Sequence, residues 1–415
     1  MSVMKTKHFK IRYIVLSLLG AILLAAFIFM HFGGFSTGKN ANPEEFAKYA
    51  QSVEDITIPE NTRIIALGEA THGNVEFQQL KLDVFKQMVN KYNMRAFALE
   101  GDFGGCEQVN RYIHGGKGTA QAAAAAIGFA IYRTDEMAKL ISYMRQYNDN
   151  AAEGDDLRFY GFDMQRYAHS FHFLLKFCKE LGVDTKNLKK LMDGEEWSSE
   201  YDNSARMEII TQVKTELEGK KNAAQAVHFA DMLLQYCELQ VGTNSSTLRD
   251  KLMAENVEWI LQQEQQLGYE RIFVSGHNSH VAKWGSFDSM GKLLSNKTDN
   301  GYYVIGTDFY KTNCNLPSSS LGKRTNQIFY SHSPLAKTAK MAGLEICWLN
   351  FRDIPHDSEL AELILQYTYM GTLGERYSWL MRLIPPSYRM FQPPAVLYDS
   401  MIFVTNANPI HIITE

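Results

Sequence analysis

The sequence predicts an α/β fold, with a largely parallel central sheet, flanking helices, an inserted helical subdomain over the cleft and an N-terminal transmembrane helix. Three observations lead to this prediction. Short apolar runs rich in β-branched and aromatic residues alternate with longer helical patterns. The runs are nearly continuous, as in strands buried on both faces. A long uncharged segment lies near the N-terminus.

The N-terminal apolar segment spans residues 13–32 and has no charged residue apart from a possible charge on His31. Twenty helical residues span about 30 Å, the thickness of a bilayer's hydrocarbon core. Four basic residues precede it: Lys5, Lys7, Lys10 and Arg12. Since only Lys39 follows closely, the positive-inside bias predicts that residues 1–12 are cytoplasmic and the rest of the chain lies outside the cytoplasm.

A cleaved signal peptide is the alternative interpretation of this segment. Its apolar region is normally shorter, and no small-x-small cleavage motif directly follows Phe32. The sequence therefore favours an uncleaved, single-pass anchor in the cell membrane. Residues 33–44 are small and polar and predict a tether, and residues 45–415 predict one α/β domain.

The elements of this domain follow from their apolar patterns. Seven strands are predicted, at residues 63–67, 96–100, 157–163, 271–275, 302–306, 345–350 and 401–406. Long helical patterns lie between them, for example at residues 75–91, 134–147 and 247–267. Residues 168–242 are helical in pattern and contain no convincing strand, which predicts the inserted helical subdomain.

Composition narrows the functional classes. The 415 residues are 45% hydrophobic and 21% charged, as in a folded protein with a large core. The net charge of −4 gives no basic field that would favour nucleic acid. Five cysteines without a C-x-x-C pair argue against a zinc ribbon or a disulfide framework and predict buried thiols.

Polar side chains follow four of the predicted strands. They are Glu69 and His72, then Glu100 and Asp102, then Asp163, and last His277, Asn278 and His280. Because ligands in open α/β sheets bind at the carboxyl ends of the strands, one cleft is predicted to contain them all.

Each of these residues also has an ordinary structural interpretation. Glu69 and His72 can be loop residues beside a capping Thr71 or Asn74, Glu100 can pair with an arginine, Asp163 can cap a helix that starts near Gln165, and His277 and His280 can be core histidines. Their convergence on one edge of the sheet favours an active site instead.

A histidine near neutrality can take a proton from water while a carboxylate orients it. Other histidines can stabilise an oxyanion or a substrate carbonyl. The same set can alternatively bind a divalent metal through His72, Glu100, His277 and His280. The chain has no G-x-S-x-G motif of a serine hydrolase and no H-E-x-x-H motif of a zincin.

Several motifs resemble those of the erythromycin esterase-like hydrolases, in the order of that family. They are LGEATHG (67–73), FALEGD (97–102), YRTDEMAKLISYMRQYN (132–148), FYGFD (159–163), MAENVEWIL (253–261), GHNSHV (276–281) and YDSMIFVTNANPI (398–410). The first, second and sixth are the specific ones. Together they cover the chain from about Pro43 to Ile410.

The resemblance implies an α/β core with a helical lobe over the cleft. It also implies cleavage of a carboxylic ester or lactone by activated water, without a serine nucleophile and without a cofactor. His72 would be the general base, Glu100 its essential acidic partner and Glu69 a second carboxylate. His277 and His280 would contact the substrate or the transition state. Three further residues would contact the substrate: Arg133, Asp163 and Asp102.

The best-known members hydrolyse the lactone of macrolide antibiotics and are cytoplasmic, whereas this chain begins with a membrane segment. The motifs recur in distantly related hydrolases, some of them metal-dependent. Two alternatives to a metal-free esterase therefore stay open. One is a metal-dependent hydrolase that uses the same cluster, and the other is a non-catalytic protein that binds a small ligand.

Overall fold

A mixed β-sheet forms the centre of the molecule. The structure is a computed structural model that describes residues 2–32, 39–242, 245–285 and 288–413, with the backbone alone for residues 2–11 and 30–32. The strands are β1 (Ala50–Gln51), β2 (Ile64–Glu69), β3 (Ala96–Asp102), β4 (Arg158–Asp163), β5 (Met192–Asp193), β6 (Glu196–Trp197), β7 (Ile272–His277), β8 (Tyr302–Ser318), β9 (Lys323–Tyr330), β10 (Ile346–Asn350), β11 (Thr368–Gly371), β12 (Arg389–Gln392) and β13 (Ser400–Ala407).

Helices surround the sheet. They are α1 (Ser2–Phe32), α2 (Pro43–Tyr49), α3 (Val75–Tyr92), α4 (Phe103–Ile113), α5 (Ala120–Ala126), α6 (Asp135–Asn148), α7 (Ala168–Glu180), α8 (Lys186–Lys189), α9 (Asn203–Glu218), α10 (Ala224–Val241), α11 (Ser245–Gln266), α12 (Asn278–Val281), α13 (Met290–Lys297), α14 (Pro334–Met341), α15 (Glu359–Leu365) and α16 (Pro394–Leu397). Short 3₁₀ turns lie at Val53–Asp55, Ala130–Tyr132, Phe351–Asp353, Trp379–Leu383 and Pro385–Ser387.

The strand order in the sheet is β1-β10-β13-β8-β2-β7-β3-β4, and β9 pairs with the distal half of β8. The strands from β13 to β4 in this order run parallel to one another. The edge strand β1, its neighbour β10 and the added strand β9 pair antiparallel. The predicted α/β class with a largely parallel sheet is confirmed.

Both faces of the sheet are buried, which explains the continuous apolar runs. In β2, Ile64 and Ala66 pack into one core, while Ile65 and Leu67 pack into a second. Side chains alternate between the faces of a strand, so each core receives every second residue. Helices on both sides are required to cover such a sheet.

All seven predicted strands are present, each within two residues of its expected start. β8 is much longer than predicted and continues for 17 residues to Ser318. Its partner β9 was missed because the sequence KRTNQIFY is mostly polar and partly exposed, without a buried strand's apolar run. The five cysteines are buried and free, as expected.

The helical insertion consists of α7 to α10 with the short hairpin β5–β6. Its core is aromatic: the ring of Phe229 lies 5.2 Å from that of Phe173 and 5.7 Å from that of Phe177, both stacked. The insertion contacts the sheet domain where α7 packs on α4 and where α10 packs on α11. It therefore lies against the helix that follows β3 and the helix that precedes β7.

The N-terminal helix α1 extends away from these cores. Its segment Arg12–Phe29 is long and apolar enough to cross a membrane, and none of that segment is buried against the rest of the chain. Residues 33–38, most of the predicted tether, lie outside the described residues. Regular structure resumes with α2, which begins at Pro43 and is capped by the side chain of Asn42.

Candidate active site

A cleft of about 380 Å³ lies at the carboxyl ends of β2, β3, β4 and β7. Its lining residues are His72, Glu100, Phe129, Ile131, Tyr132, Asp163, Gln165, Arg249, His277, Ser279, His280, Gly374 and Glu375. The insertion borders an adjoining cavity, which shares Phe129 and Gln165 with this cleft. The cleft therefore contains five of the polar residues that follow the four strands, namely His72, Glu100, Asp163, His277 and His280, whereas Glu69, Asp102 and Asn278 lie outside its lining.

The turn after β2 carries the first pair. β2 ends at Glu69, and the carboxylate Oε1 lies 2.5 Å from Nδ1 of His72. The other oxygen, Oε2, accepts a hydrogen bond from Lys81 Nζ at 2.6 Å. Lys81 comes from α3 and its side chain is buried. The buried Lys81 thus holds the Glu69 carboxylate in place, and this carboxylate in turn orients the imidazole ring of His72.

The local sequence explains why this turn is rigid. Thr71 Oγ1 accepts a hydrogen bond from the backbone N–H of Gly73, and Asn74 donates to two backbone carbonyls, at Asn313 and Asn408. Asn74 occupies the N-cap position of α3 without capping it through its side chain. A Cβ at Gly73 would lie 2.5 Å from a backbone oxygen of β8, so only glycine fits there.

Opposing effects act on the protonation of this pair. Burial raises the pKa of Glu69, but Lys81 and His72 outweigh it and hold that pKa at about 2. Burial lowers the pKa of His72, and the charge and hydrogen bond of Glu69 raise it above its ordinary value. Glu69 is therefore ionised and makes His72 a stronger base.

Glu100 ends the apolar part of β3 and joins β3 to β7. Its Oε2 accepts the backbone N–H of His277 at 2.7 Å, and its Oε1 accepts Arg249 Nη2 at 2.8 Å. Burial raises its pKa, but His280, Arg249 and His72 lower it far below its ordinary value. Glu100 is a fixed anion in the wall of the cleft.

Arg249, on α11, is the central cation of this wall. Besides Glu100 it binds Asp163, with Nη2 2.7 Å from Oδ2 and Nε 3.2 Å from Oδ1. Asp163 does not cap a helix near Gln165, because α7 begins only at Ala168. The carboxylate orients Arg249 instead, and its predicted contact with substrate stays a prediction.

His280 lies beside the same arginine. Its Nδ1 is 2.8 Å from Asp250 Oδ1, which also accepts the backbone N–H of Met290. Its Nε2 is 3.5 Å from Glu100 Oε1 and 3.2 Å from Arg249 Nη1. Burial lowers its pKa, but Glu100 and Asp250 raise it above the ordinary value. Glu100 and Asp250 favour the protonated ring of His280, and Arg249 favours the neutral ring.

His277 ends β7 and caps α12. Its Nδ1 accepts the backbone N–H of Ser279 at 3.3 Å and lies 2.7 Å from the hydroxyl of that serine. The neutral ring therefore carries its proton on Nε2, which is buried and has no partner among the described residues. Burial, His72 and His280 lower its pKa to about 3. Its ring centroid is 5.0 Å from that of His72.

The other two predicted substrate-contact residues lie outside the cleft lining. Asp102 caps α4 by accepting the backbone N–H of Gly105, and burial raises its pKa to about 8. Arg133 is half-buried beside Ile131 and Tyr132, which do line the cleft. For both residues the role at the substrate stays a prediction.

Among the charged residues of this site, sequence reasoning missed Lys81, Arg249, Asp250 and Glu375. Lys81 had a signal, because it occupies a position on the apolar face of α3 between Phe77 and Phe85. A lysine in such a position requires a buried anion. Arg249 and Asp250 lie just before the MAENVEWIL motif and had no comparable signal.

The predicted metal-ligand set does not fit a metal in this arrangement. In the described parts of the chain, no three His, Cys, Asp or Glu side chains form a group that could hold a metal ion. Both oxygens of Glu100, the one carboxylate of the set, are occupied by Arg249 and by the N–H of His277. Arg249 also brings a positive charge to the place where a cation would have to bind.

Comparison with known proteins yields one family. The model of the erythromycin esterase family matches residues 89–407. Erythromycin esterase type II of Escherichia coli is 24% identical over 353 residues, which are 72% of this chain and 82% of that protein.

Two solved structures have the same fold. A Bacillus cereus protein superposes with a TM-score of 0.75 at 18% identity, covering 90% of this chain and all of that one. A mutant of the erythromycin esterase EreC in its open conformation gives a TM-score of 0.57 at 15% identity, covering 86% of this chain and 93% of that one. At these identities the likeness concerns the fold.

Proposed function

The chain belongs to the erythromycin esterase family, and on that premise we propose that it hydrolyses a carboxylic ester or lactone with water activated by His72. The observation that carries the proposal is the buried series Lys81, Glu69 and His72. Its hydrogen bonds leave Nε2 of His72 without a protein partner among the described residues, on a ring that lines the cleft.

The proposed reaction begins when His72 Nε2 takes a proton from water, and the water oxygen bonds to the carbonyl carbon. The electron pair of the C=O bond moves to the carbonyl oxygen, which becomes an oxyanion. Ionised Glu69 stabilises the imidazolium that His72 becomes. The N–H of His277 at Nε2 is the donor available to the oxyanion, since its other nitrogen is an acceptor.

Collapse of the intermediate restores the C=O bond and breaks the bond to the leaving alkoxide. The proton on His72 passes to that oxygen, so an acid and an alcohol are released and the base is regenerated. Glu100 and Arg249 do not take part in the proton transfers in this scheme. Their hydrogen bonds hold β3, β7 and α11 together around the cleft.

The test compares His72→Ala with wild type on aryl esters, lactones and macrolides. General-base catalysis is worth about 10²–10⁴-fold, and we expect a loss of that size in kcat/KM for a variant that is still folded under the assay conditions. The surface variant His114→Ala is the control, since His114 is exposed. Near-full activity of His72→Ala refutes the assignment. Loss of wild-type activity on adding a chelator supports the metal-dependent alternative instead.

We also propose that α1 anchors the protein in the cell membrane, with residues 1–12 in the cytoplasm and the domain outside. The length and exposure of Arg12–Phe29 support an anchor, as does the excess of basic residues before it. Intact mass of the membrane fraction tests it: an uncleaved chain is expected, and a mature form starting after Phe32 would indicate a signal peptide. Protease added to whole spheroplasts should remove the domain.

A further inference from the structure

Exposed apolar side chains cluster on one side of the domain, at the 3₁₀ turn Trp379–Leu383 and its neighbours. The exposed fractions are 55% for Trp379, 46% for Leu380, 37% for Leu383 and 52% for Ile384, and Ile328 on β9 is 38% exposed. We call these five residues the apolar surface. A group of neighbouring exposed apolar side chains that includes a tryptophan is a candidate site of interaction.

Hydrogen bonds hold the apolar surface to the sheet. Arg382 Nη1 donates to the carbonyl of Ile328 at 2.9 Å, and its guanidinium lies 4.7 Å from the centre of the Phe329 ring. The turn therefore packs on β9 with its aliphatic side chains left outside. It is a built part of the fold, with a fixed orientation.

The charge around the apolar surface is positive. Residues 376–398 contain no acidic residue; of their three arginines Arg389 is buried, and Glu375 just before them is paired with Arg324. Arg376 is exposed, and so is Lys323 at the start of β9. Basic groups beside exposed tryptophan and leucine are typical of protein surfaces that lie in the headgroup region of an anionic bilayer.

The location of α1 identifies the partner. Cα atoms of α1 come within 8 Å of the turn Trp379–Leu383 and of β9. The domain therefore meets its proposed anchor at the apolar surface. A helix that crosses the bilayer there brings these side chains to the membrane boundary.

We propose that the apolar surface docks in the outer leaflet of the membrane, with Trp379 and Leu380 in the headgroup region. This inference rests on the proposed anchoring by α1 and goes beyond it, since a bare anchor needs no contact between domain and lipid. The loop before the turn carries Gly374 and Glu375, which line the cleft. Arg324 of β9 binds the Glu375 carboxylate through Nη1 at 2.7 Å and Nη2 at 2.8 Å. Docking would set one side of the cleft close to the lipid.

Tryptophan fluorescence tests the proposal without any enzyme activity. The full chain is placed at one copy per nanodisc, in phosphatidylcholine and phosphatidylglycerol with or without brominated acyl chains. Among the five tryptophans only Trp284 and Trp379 are largely exposed. We expect brominated lipid to quench the wild type, Trp379→Phe to abolish that quenching, and Trp284→Phe to leave it unchanged.

A charged variant supplies the second readout. Leu380→Asp with Leu383→Asp should lower the affinity of the domain for the leaflet about tenfold or more, seen as loss of the quenching while α1 stays inserted. Equal quenching in wild type and Trp379→Phe overturns the proposal. Absent quenching, together with a dimer in detergent that the charged variant dissociates, also overturns it and assigns the surface to a second copy of the chain.

Discussion

Replacing Lys81 by methionine tests the buried series most directly. Methionine fills a similar volume but leaves Glu69 without its counter-ion, 2.6 Å from where Nζ was. Lowering the pKa of the Glu69 carboxyl from 4.5 to about 2 corresponds to about 3 kcal/mol of stabilisation of the folded protein when the carboxyl is ionised. Breaking a buried ion pair typically costs about 3–5 kcal/mol. We therefore expect Lys81→Met to lose roughly 3 kcal/mol of unfolding free energy.

The assay is urea unfolding of the full chain in detergent at pH 7, with kcat measured on the same samples. Lys86→Met, on the same helix, is the matched control. It loses a cation–π contact with Tyr143 at 5.1 Å, worth about 0.5–1 kcal/mol, and a charge interaction with Asp83. Adding Glu69→Gln to Lys81→Met should restore part of the stability, because no unpaired charge is left.

The kinetic expectation for the double variant differs from the stability expectation. Glu69→Gln cannot stabilise the imidazolium of His72, so kcat should stay low even where stability recovers. If the unfolding free energy of Lys81→Met lies within about 0.5 kcal/mol of the wild-type value, as is usual for surface substitutions, then the Lys81 ammonium does not stabilise Glu69 and the reasoning is refuted.

Four further predictions concern pH, the oxyanion, acid stability and the turn. Because the pKa of His72 is raised and the base must be neutral, kcat/KM should rise with pH through a midpoint above 6.5, and Glu69→Gln should move that midpoint down. His277→Phe should lower kcat about 10²–10³-fold at all pH values, whereas loss of affinity alone would change KM. Burial and Lys214 hold the pKa of His228 at about 3 against an ordinary 6.5. The neutral buried ring therefore contributes fully to the unfolding free energy above pH 6.5, and this contribution is lost as the pH falls, by up to about 1.4 kcal/mol per pH unit. The urea unfolding midpoint of His228→Phe should accordingly change less between pH 7 and pH 5 than that of wild type. Gly73→Ala should lower both kcat and the urea unfolding midpoint, because its Cβ would meet a backbone oxygen of β8 at 2.5 Å and the backbone would have to shift.

The sheet was predictable because strands buried on two faces have an unmistakable apolar pattern. β2, β3, β4 and β7 all follow it, and their carboxyl ends brought His72, Glu100, Asp163 and His277 to one cleft. Strands that face solvent carry no such pattern. For this reason β9 and β12, which are partly exposed, were missed, as was β11, which is buried but only four residues long. The loop that carries Glu375 was missed with them.

Long-range ion pairs explain the other omissions. Glu100 was expected to pair with some arginine, but nothing local names Arg249, which lies 149 residues away. Asp250, beside it, fixes His280 across 30 residues. Such contacts depend on how α11 crosses the sheet, which follows from the packing of the whole domain.

β2 runs through the middle of the sheet, between β7 and β8, yet it precedes residues 89–407, the portion in which the family is recognised. A fragment trimmed to those residues would lose the strand that separates its two neighbours and would expose a row of unpaired backbone N–H and C=O groups on each. Open edges of this kind recruit strands from other chains. Such a fragment should precipitate on expression, whereas one that begins before Pro43 keeps β2 between β7 and β8.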